Sequence, residues 1–180
     1  MERSYRSRFR RVIVRKGLVT IHIVKEKILQ ELEEWMDWLE TPNDDFGGFP
    51  VCPFLAPERK QDKLLIEFYD YSENSLFEMI KEFDEDDKYT TVLYLHLKGS
   101  WKKQKTKDYG QWVTDELDTI GLGHLKAVCF SPWEKVTRNK VRTRVKAPCF
   151  ITSITTQESL NDAWKKIKDT NYWKKNRESA

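Results

Sequence analysis

The spacing of apolar residues changes along the chain, and each change predicts a new element. Residues 11–23 alternate between apolar and polar side chains around Gly17, which predicts two short strands or one bent strand. Residues 24–40 have the spacing of an amphipathic helix, whose apolar side carries Ile28, Leu32, Trp35 and Leu39. Pro42 ends this helix, and the Gly- and Pro-rich residues 41–62 are predicted to form a loop.

The rest of the chain alternates between strand and helix patterns. Strands are predicted over 63–69, 89–97, 125–130 and 147–154. Helices are predicted from a Ser72 cap to residue 83, from residue 109 to a stop at Gly121, and after a capping box of Thr155 and Glu158. This order predicts the α/β class: a single layered domain over 17–170, a mixed sheet with helices packed against it. A basic arm, 1–16, precedes the domain and a polar tail, 171–180, follows it.

The composition narrows the class of protein. With 13% aromatic residues, the 180-residue chain can build a packed core although 34% of it is charged. No apolar run approaches the roughly 20 residues of a membrane helix, and the chain opens without an apolar secretory signal. We therefore expect no membrane partner. Three cysteines are few for a disulfide scaffold, so we expect free thiols and a location in the cytoplasm. Scarce alanine beside plentiful lysine is typical of an AT-rich genome, such as a viral one.

The charges are strongly segregated. Residues 1–16 carry seven Lys and Arg against Glu2, residues 102–107 carry four Lys, and residues 134–146 carry six Lys and Arg against Glu134. Residues 31–45 carry seven carboxylates and no base. Such blocks are usually solvated faces, but basic blocks that converge on one side of the fold would attract a polyanion or an anionic substrate.

The loop around Cys52 is the most unusual stretch. Prolines on both sides stiffen its backbone, and Gly48 permits a tight turn before it. With Arg59 nearby in sequence, Cys52 is a candidate catalytic nucleophile, because positive charge stabilises the reactive thiolate. The alternative is a small side chain packed beneath the loop, since buried cysteines are common.

Short motifs in three places resemble an uncharacterised bacterial family. Cys52-Pro53-Phe54 resembles the Asn-Leu-Cys-Pro-Phe-Ala stretch of that family, and the strands and helices that follow have a similar order. Residues 128–132 resemble its later Ser-Phe-His-Pro segment, although Ser131 stands where the family has histidine. Asn139, Arg142 and Pro148 resemble its Asn-Arg-Ser-Pro stretch. The resemblance covers about residues 25–170 and implies a fold outline and candidate positions, not a reaction.

Motifs for metals and cofactors are not found. The three histidines, His22, His96 and His124, are not spaced as metal ligands on one element usually are. His96 and His124 are both predicted at strand ends, where they could meet. Gly121-Leu122-Gly123 lacks the third glycine and the following helix of a dinucleotide-binding fingerprint. The sequence therefore predicts no metal and no cofactor.

Residues 140–146 alternate between basic and other side chains. In a strand, Lys140, Arg142, Arg144 and Lys146 would form one row along a phosphate backbone, with Trp133 available to stack on a base. The alternative is an edge strand that its charges protect from pairing with other chains.

Three functions stay open at this point. In the first, which we favour because the resemblance centres on Cys52, the protein is a thiol-dependent enzyme or a ligand-binding domain. Arg59, Arg142 and Arg144 would then hold an anionic small molecule. In the second, it is a nucleic-acid-binding accessory protein that uses the basic strand and arm. In the third, it is an assembly or interaction protein, with residues 31–45 pairing with basic segments of another copy in a homo-oligomer.

Overall fold

A computed structural model describes residues 18–43, 48–71, 75–97, 103–132, 137–138, 141–142 and 146–168. The helices of this part of the chain are α1 (Leu18–Glu40), α2 (Leu55–Lys60), α3 (Leu76–Asp84), α4 (Lys103–Thr119) and α5 (Gln157–Ile167). Its longer strands are β3 (Leu64–Tyr69), β4 (Thr91–His96), β5 (Leu125–Phe130) and β8 (Phe150–Thr156). Two short pairs are formed by β1 (Pro42–Asn43) with β2 (Phe49–Pro50), and by β6 (Thr137–Arg138) with β7 (Val141–Arg142).

The four longer strands form one mixed sheet in the order β3-β4-β8-β5. Strand β4 is parallel to β3, and β8 is antiparallel to both β4 and β5. Strands β3, β4 and β5 therefore run in the same direction, and their carboxyl ends meet at one edge of the sheet, which we call the carboxyl edge. The interleaved helices and the mixed sheet confirm a single α/β domain.

Helices cover both faces of the sheet. On one face, α1 and α2 pack on Leu93 and Leu95 of β4. On the other face, α3 and α4 pack on Val92 and Tyr94. Neighbouring residues of a strand point to opposite faces, so β4 is buried on both sides at the centre of a three-layer structure.

The first predicted element is wrong in type. Instead of a strand over 11–23, α1 begins at Leu18, and residues 11–17 lie outside the described residues. Ile23 and Val24 lie on the helix and are exposed. The alternation over residues 11–23 therefore does not mark the buried face of a strand. Once a helix has started, each further residue adds one hydrogen bond. No proline interrupts the chain between Gly17 and Pro42, so the helix predicted from residue 24 can begin earlier.

Two helix starts differ from their predicted caps. The cap of α3 is Ser75, whose Oγ accepts from Glu78 N at 3.2 Å, while Glu78 Oε2 accepts from Ser75 N at 2.7 Å. The predicted cap Ser72 lies outside the described residues. The cap of α5 is Thr156, one residue after the predicted Thr155, because β8 keeps its pairing to the end of that strand.

The predicted stop of α4 is confirmed. Gly121 has a φ of +82°, and the N–H groups of Gly121 and Leu122 bond back to the carbonyls of Asp118 and Leu117. This is the Schellman arrangement, which requires a left-handed residue that glycine adopts without strain. No helix in the described part of the chain is both long and apolar enough to cross a bilayer.

Candidate functional site

A cluster of polar and aromatic side chains lies at the carboxyl edge. Strand β3 ends at Tyr69 and β4 ends at His96, while β8 starts beside His96 at Phe150. Ligands of open α/β sheets commonly bind outside the carboxyl ends of the strands, since the following loops gather there. This edge is therefore the first place to look for a site.

His96 stands at the centre of the cluster. Its side chain is only 3% exposed. Its Nδ1 lies 2.6 Å from the Tyr71 hydroxyl, and its Nε2 lies 2.8 Å from the hydroxyl of the fully buried Thr152. Both ring nitrogens thus have a hydroxyl partner, and the imidazole is held from two sides.

Burial makes His96 a neutral group. It lowers the pKa of His96 from its usual 6.5 to about 4, because the charged form would lose its hydration. A neutral imidazole has one donor and one acceptor nitrogen. Therefore one of the two hydroxyls donates to the ring and the other accepts from it.

Aromatic rings enclose the imidazole. Tyr69, Tyr109 and Phe150 approach it edge to face, with centroid distances of 5.2, 6.1 and 4.7 Å. Burial also raises the pKa of Tyr109, so its phenol stays protonated. The cluster is an uncharged aromatic surface rather than an acid–base pair.

Two thiols lie behind this surface. Cys129 Sγ is 3.8 Å from Thr152 Oγ1, and burial raises the pKa of Cys129 to about 11. Burial likewise raises the pKa of Cys149 to about 12. Neither thiol is ionised at neutral pH, so neither is suited to be a nucleophile.

Basic segments are joined to the same edge. Residues 98–107, which connect β4 to α4 and begin that helix, contain five lysines and no carboxylate. Residues 131–149, between β5 and β8, contain six Lys and Arg and one carboxylate. The amino end of α1 also approaches this edge, since Lys25 Nζ lies 4.9 Å from the centre of the Phe68 ring. Two carboxylates lie nearby: Asp70 follows β3, and Asp108 lies on α4.

The opposite edge is acidic. The turn from α3 to β4 carries Glu85, Asp86 and Asp87 in succession. Here His124 Nε2 lies 2.6 Å from Asp84 Oδ1, so His124 and His96 lie at opposite edges and do not meet. Among the described residues, no cluster of three or more His, Cys, Asp and Glu side chains is placed to hold a metal ion.

Arg59 does not face the thiol with which the sequence associated it. Its guanidinium donates to Asp37 at 2.8 Å, to Glu40 at 2.6 Å and to Glu33 at 2.6 Å. Burial alone would lower the pKa of Arg59, but these hydrogen bonds and charges raise it above its usual value. Arg59 therefore joins α2 to the acidic side of α1, and its charge is already neutralised.

Cys52 lies in the apolar layer beside α1. Its N–H donates to the Leu39 carbonyl at 2.9 Å, and its half-buried side chain packs on the cluster that contains Leu39 and Val51. The structure thus places Cys52 in the apolar cluster between α1 and the sheet, whereas the Arg59 guanidinium faces the acidic side of α1. The role of Cys52 as a nucleophile stays a prediction.

The other predicted site residues are only partly described. The backbone of Arg142 lies in β7, paired with Thr137, and Lys146 is exposed before β8. Trp133, Lys140 and Arg144 lie outside the described residues. Strand β7 is described only over Val141–Arg142, so the four-cation row itself stays a prediction.

A groove of about 270 Å³ lies between α2 and α5. Glu58 lines it and accepts hydrogen bonds from Ser159 Oγ at 2.6 Å and from the Thr90 hydroxyl. Both carboxylate oxygens of Glu58 thus have hydroxyl partners, and the Ser159 contact attaches α5 to α2.

The thiols give a direct test of the Cys52 hypothesis. We expect Cys129 and Cys149 to be alkylated at pH 8 at least about 100 times more slowly than a free peptide thiol, because a raised pKa leaves little thiolate. Mass spectrometry of the labelled peptides gives each rate, with Cys52→Ser as the control. Alkylation of Cys52 faster than the free thiol would support a nucleophile, whereas an ordinary or slow rate would contradict that role.

Sequence reasoning overlooked Tyr71 and Thr152 altogether and did not identify His96 as a buried, neutral group. The available signal was a histidine that ends a strand of mostly apolar residues, although its partner Thr152 is 56 residues away. Comparisons of this chain with protein-family models, with curated proteins and with solved structures find no match, and the bacterial resemblance stays a prediction.

Proposed function

We propose that the protein binds a phosphate-bearing ligand at the carboxyl edge of its sheet. The observation that carries this proposal is the connection of three basic segments to one edge: 1–16 through the amino end of α1, 98–107 before and within α4, and 131–149 between β5 and β8. Concentrated positive charge raises the local concentration of anions and speeds their association.

The local structure supports an anionic ligand. Helix α4 begins at this edge with Lys103, and the amino end of a helix carries a partial positive charge. Lys107 and Lys146 contribute exposed ammonium groups from two different segments. The neutral cluster around His96 adds no negative charge, while Asp70, Asp108 and Glu31, whose charge acts on Cys149, limit where a phosphate can sit.

The thiol-enzyme alternative has less support. An activated thiolate needs a positive neighbour, and Arg59 is held by three carboxylates. Of the groups assigned to the anion in that hypothesis, Arg142 and Arg144 belong to the segment joined to the carboxyl edge. We therefore keep the anionic ligand and move its site from Cys52 to this edge.

The test compares two charge-reversed proteins. Lys107→Glu with Lys146→Glu removes one exposed cation from each of two basic segments, 98–107 and 131–149, whereas Lys60→Glu with Lys81→Glu makes the same change of net charge on α2 and α3. Calorimetric titration with ADP and with a single-stranded oligonucleotide should show about a tenfold or larger loss for the first pair only, and a smaller salt dependence.

Two results would contradict the proposal. Equal losses in both pairs would show a general effect of net charge rather than a site. Failure of both ligands to bind the unaltered protein at low salt would remove the phosphate hypothesis.

A further inference from the structure

Tyr71 presents an exposed aromatic ring at the carboxyl edge. The residue is 41% exposed, yet its hydroxyl lies 2.6 Å from His96 Nδ1. Its ring is tilted against Tyr69, with centroids 4.3 Å apart. The ring is therefore fixed at its tip and along one side while part of it faces solvent.

The backbone at Tyr71 is unusual as well. Its φ is +67°, in the left-handed region that a bulky residue rarely adopts. The hydrogen bond to His96 and the contact with Tyr69 hold the side chain in place. Such a conformation turns the side chain at the end of β3 back over the edge of the sheet, toward the His96 cluster.

A ring held in this way is suited to stacking. Its rotamer is already selected, so a planar ligand that stacks on it causes little further loss of side-chain freedom. Stacking of a nucleobase on an aromatic side chain strengthens binding about tenfold or more and tolerates any base.

Exposed cations belong to the elements that contact the same imidazole. Tyr109 of α4 contacts His96, which is bonded to Tyr71, and Lys107 lies on the same helix. Phe150 of β8 also contacts His96, and Lys146 lies in the segment before that strand. Both elements thus bring positive charge to the carboxyl edge.

We propose that the ring of Tyr71 stacks on the base of a nucleotide whose phosphates are held by the basic residues of the carboxyl edge, among them Lys107 and Lys146. This inference rests on the proposed function and names its ligand class. The base can belong to a free nucleotide or to single-stranded nucleic acid, which present the same chemistry.

The experiment compares ADP with pyrophosphate, which has the phosphates but no base. Titration of the full chain should show ADP binding about ten times or more tightly than pyrophosphate, as expected from one stacked base. In Tyr71→Asn the two affinities should converge, because the base loses its platform. Asparagine suits the left-handed backbone, so this variant should retain the fold.

Matched controls separate the two proposals. Tyr89→Asn, at the opposite edge, should leave the ratio of ADP to pyrophosphate affinity unchanged, while Lys107→Glu with Lys146→Glu should weaken both ligands. If both ligands bind the unaltered protein equally, or if Tyr71→Asn keeps the preference, the stacking inference is wrong and the phosphate site stands. If neither of them binds and the oligonucleotide does not bind either, the proposed function fails. A single-stranded oligonucleotide that binds far more tightly than ADP identifies nucleic acid as the source of the base.

Discussion

Replacing Trp35 by alanine is expected to lower the free energy of unfolding by about 3–5 kcal/mol, the usual effect of truncating a buried aromatic residue. Trp35 is 2% exposed and lies where α1 packs on the sheet. Its ring meets the edge of Phe130, the last residue of β5, at a centroid distance of 5.2 Å. The truncation would leave a cavity between α1 and the carboxyl end of β5.

The matched variant Trp35→Phe should cost much less. The indole Nε1 is buried and has no hydrogen-bond partner among the described residues. Burial of an unpaired donor costs about 1–3 kcal/mol, and phenylalanine removes that donor. Part of the lost packing is thereby offset, so we expect a net loss of about 1.5 kcal/mol or less.

Urea denaturation at pH 7 measures both variants on one scale. Equal destabilisation by alanine and phenylalanine would contradict the interpretation, since it would mean that the indole N–H is satisfied and contributes to stability. Circular dichroism before denaturation shows whether each variant starts from the same folded state.

Local pattern predicted the elements whose faces are set by spacing. The helical spacing of Leu32, Trp35 and Leu39 corresponds to side chains that share one buried cluster. The order of strands after residue 60 was also predicted correctly, because each strand is a short apolar run between turn residues. These features depend on neighbours within a few turns of the chain.

Features that depend on distant contacts were not predictable. Nothing local indicates that β8 inserts between β4 and β5, yet this insertion places Thr152 against His96. Arg59 is seven residues from Cys52 in sequence, but its partners are 19, 22 and 26 residues upstream. Proximity in sequence therefore gave no indication of the three carboxylates that bind Arg59.

The second large effect is on pH stability, and it depends on His96. Its pKa falls from its usual 6.5 in the unfolded chain to about 4 in the folded protein, because the ring is buried. Between these values the unfolded chain binds more protons than the folded protein. His96 therefore contributes stability above pH 6.5, and that contribution is lost as the pH falls toward 4.

The expected loss from this group is about 3 kcal/mol between pH 7 and pH 4. Carboxylates also titrate in this interval, so the wild-type curve alone does not isolate His96. His96→Gln supplies a non-titrating amide that can pair with the Tyr71 and Thr152 hydroxyls. The variant is expected to be less stable at pH 7 but to lose less stability on acidification.

Urea denaturation at half-unit steps from pH 7 to pH 4 gives the slope of the free energy of unfolding against pH for the wild type and for His96→Gln. The carboxylates contribute equally to both slopes, so their contribution cancels in the difference. Parallel curves would show that His96 titrates alike in both states and is not the buried neutral group described above. A steeper wild-type curve would show that protonation of His96, which lies in the proposed ligand site, lowers the stability of the protein. Protonation turns the acceptor nitrogen of the imidazole into a donor, and the hydroxyl that donated to it must then turn and accept instead. The loss of stability on acidification would therefore report the free energy of charging a buried ring rather than the loss of its hydroxyl contacts.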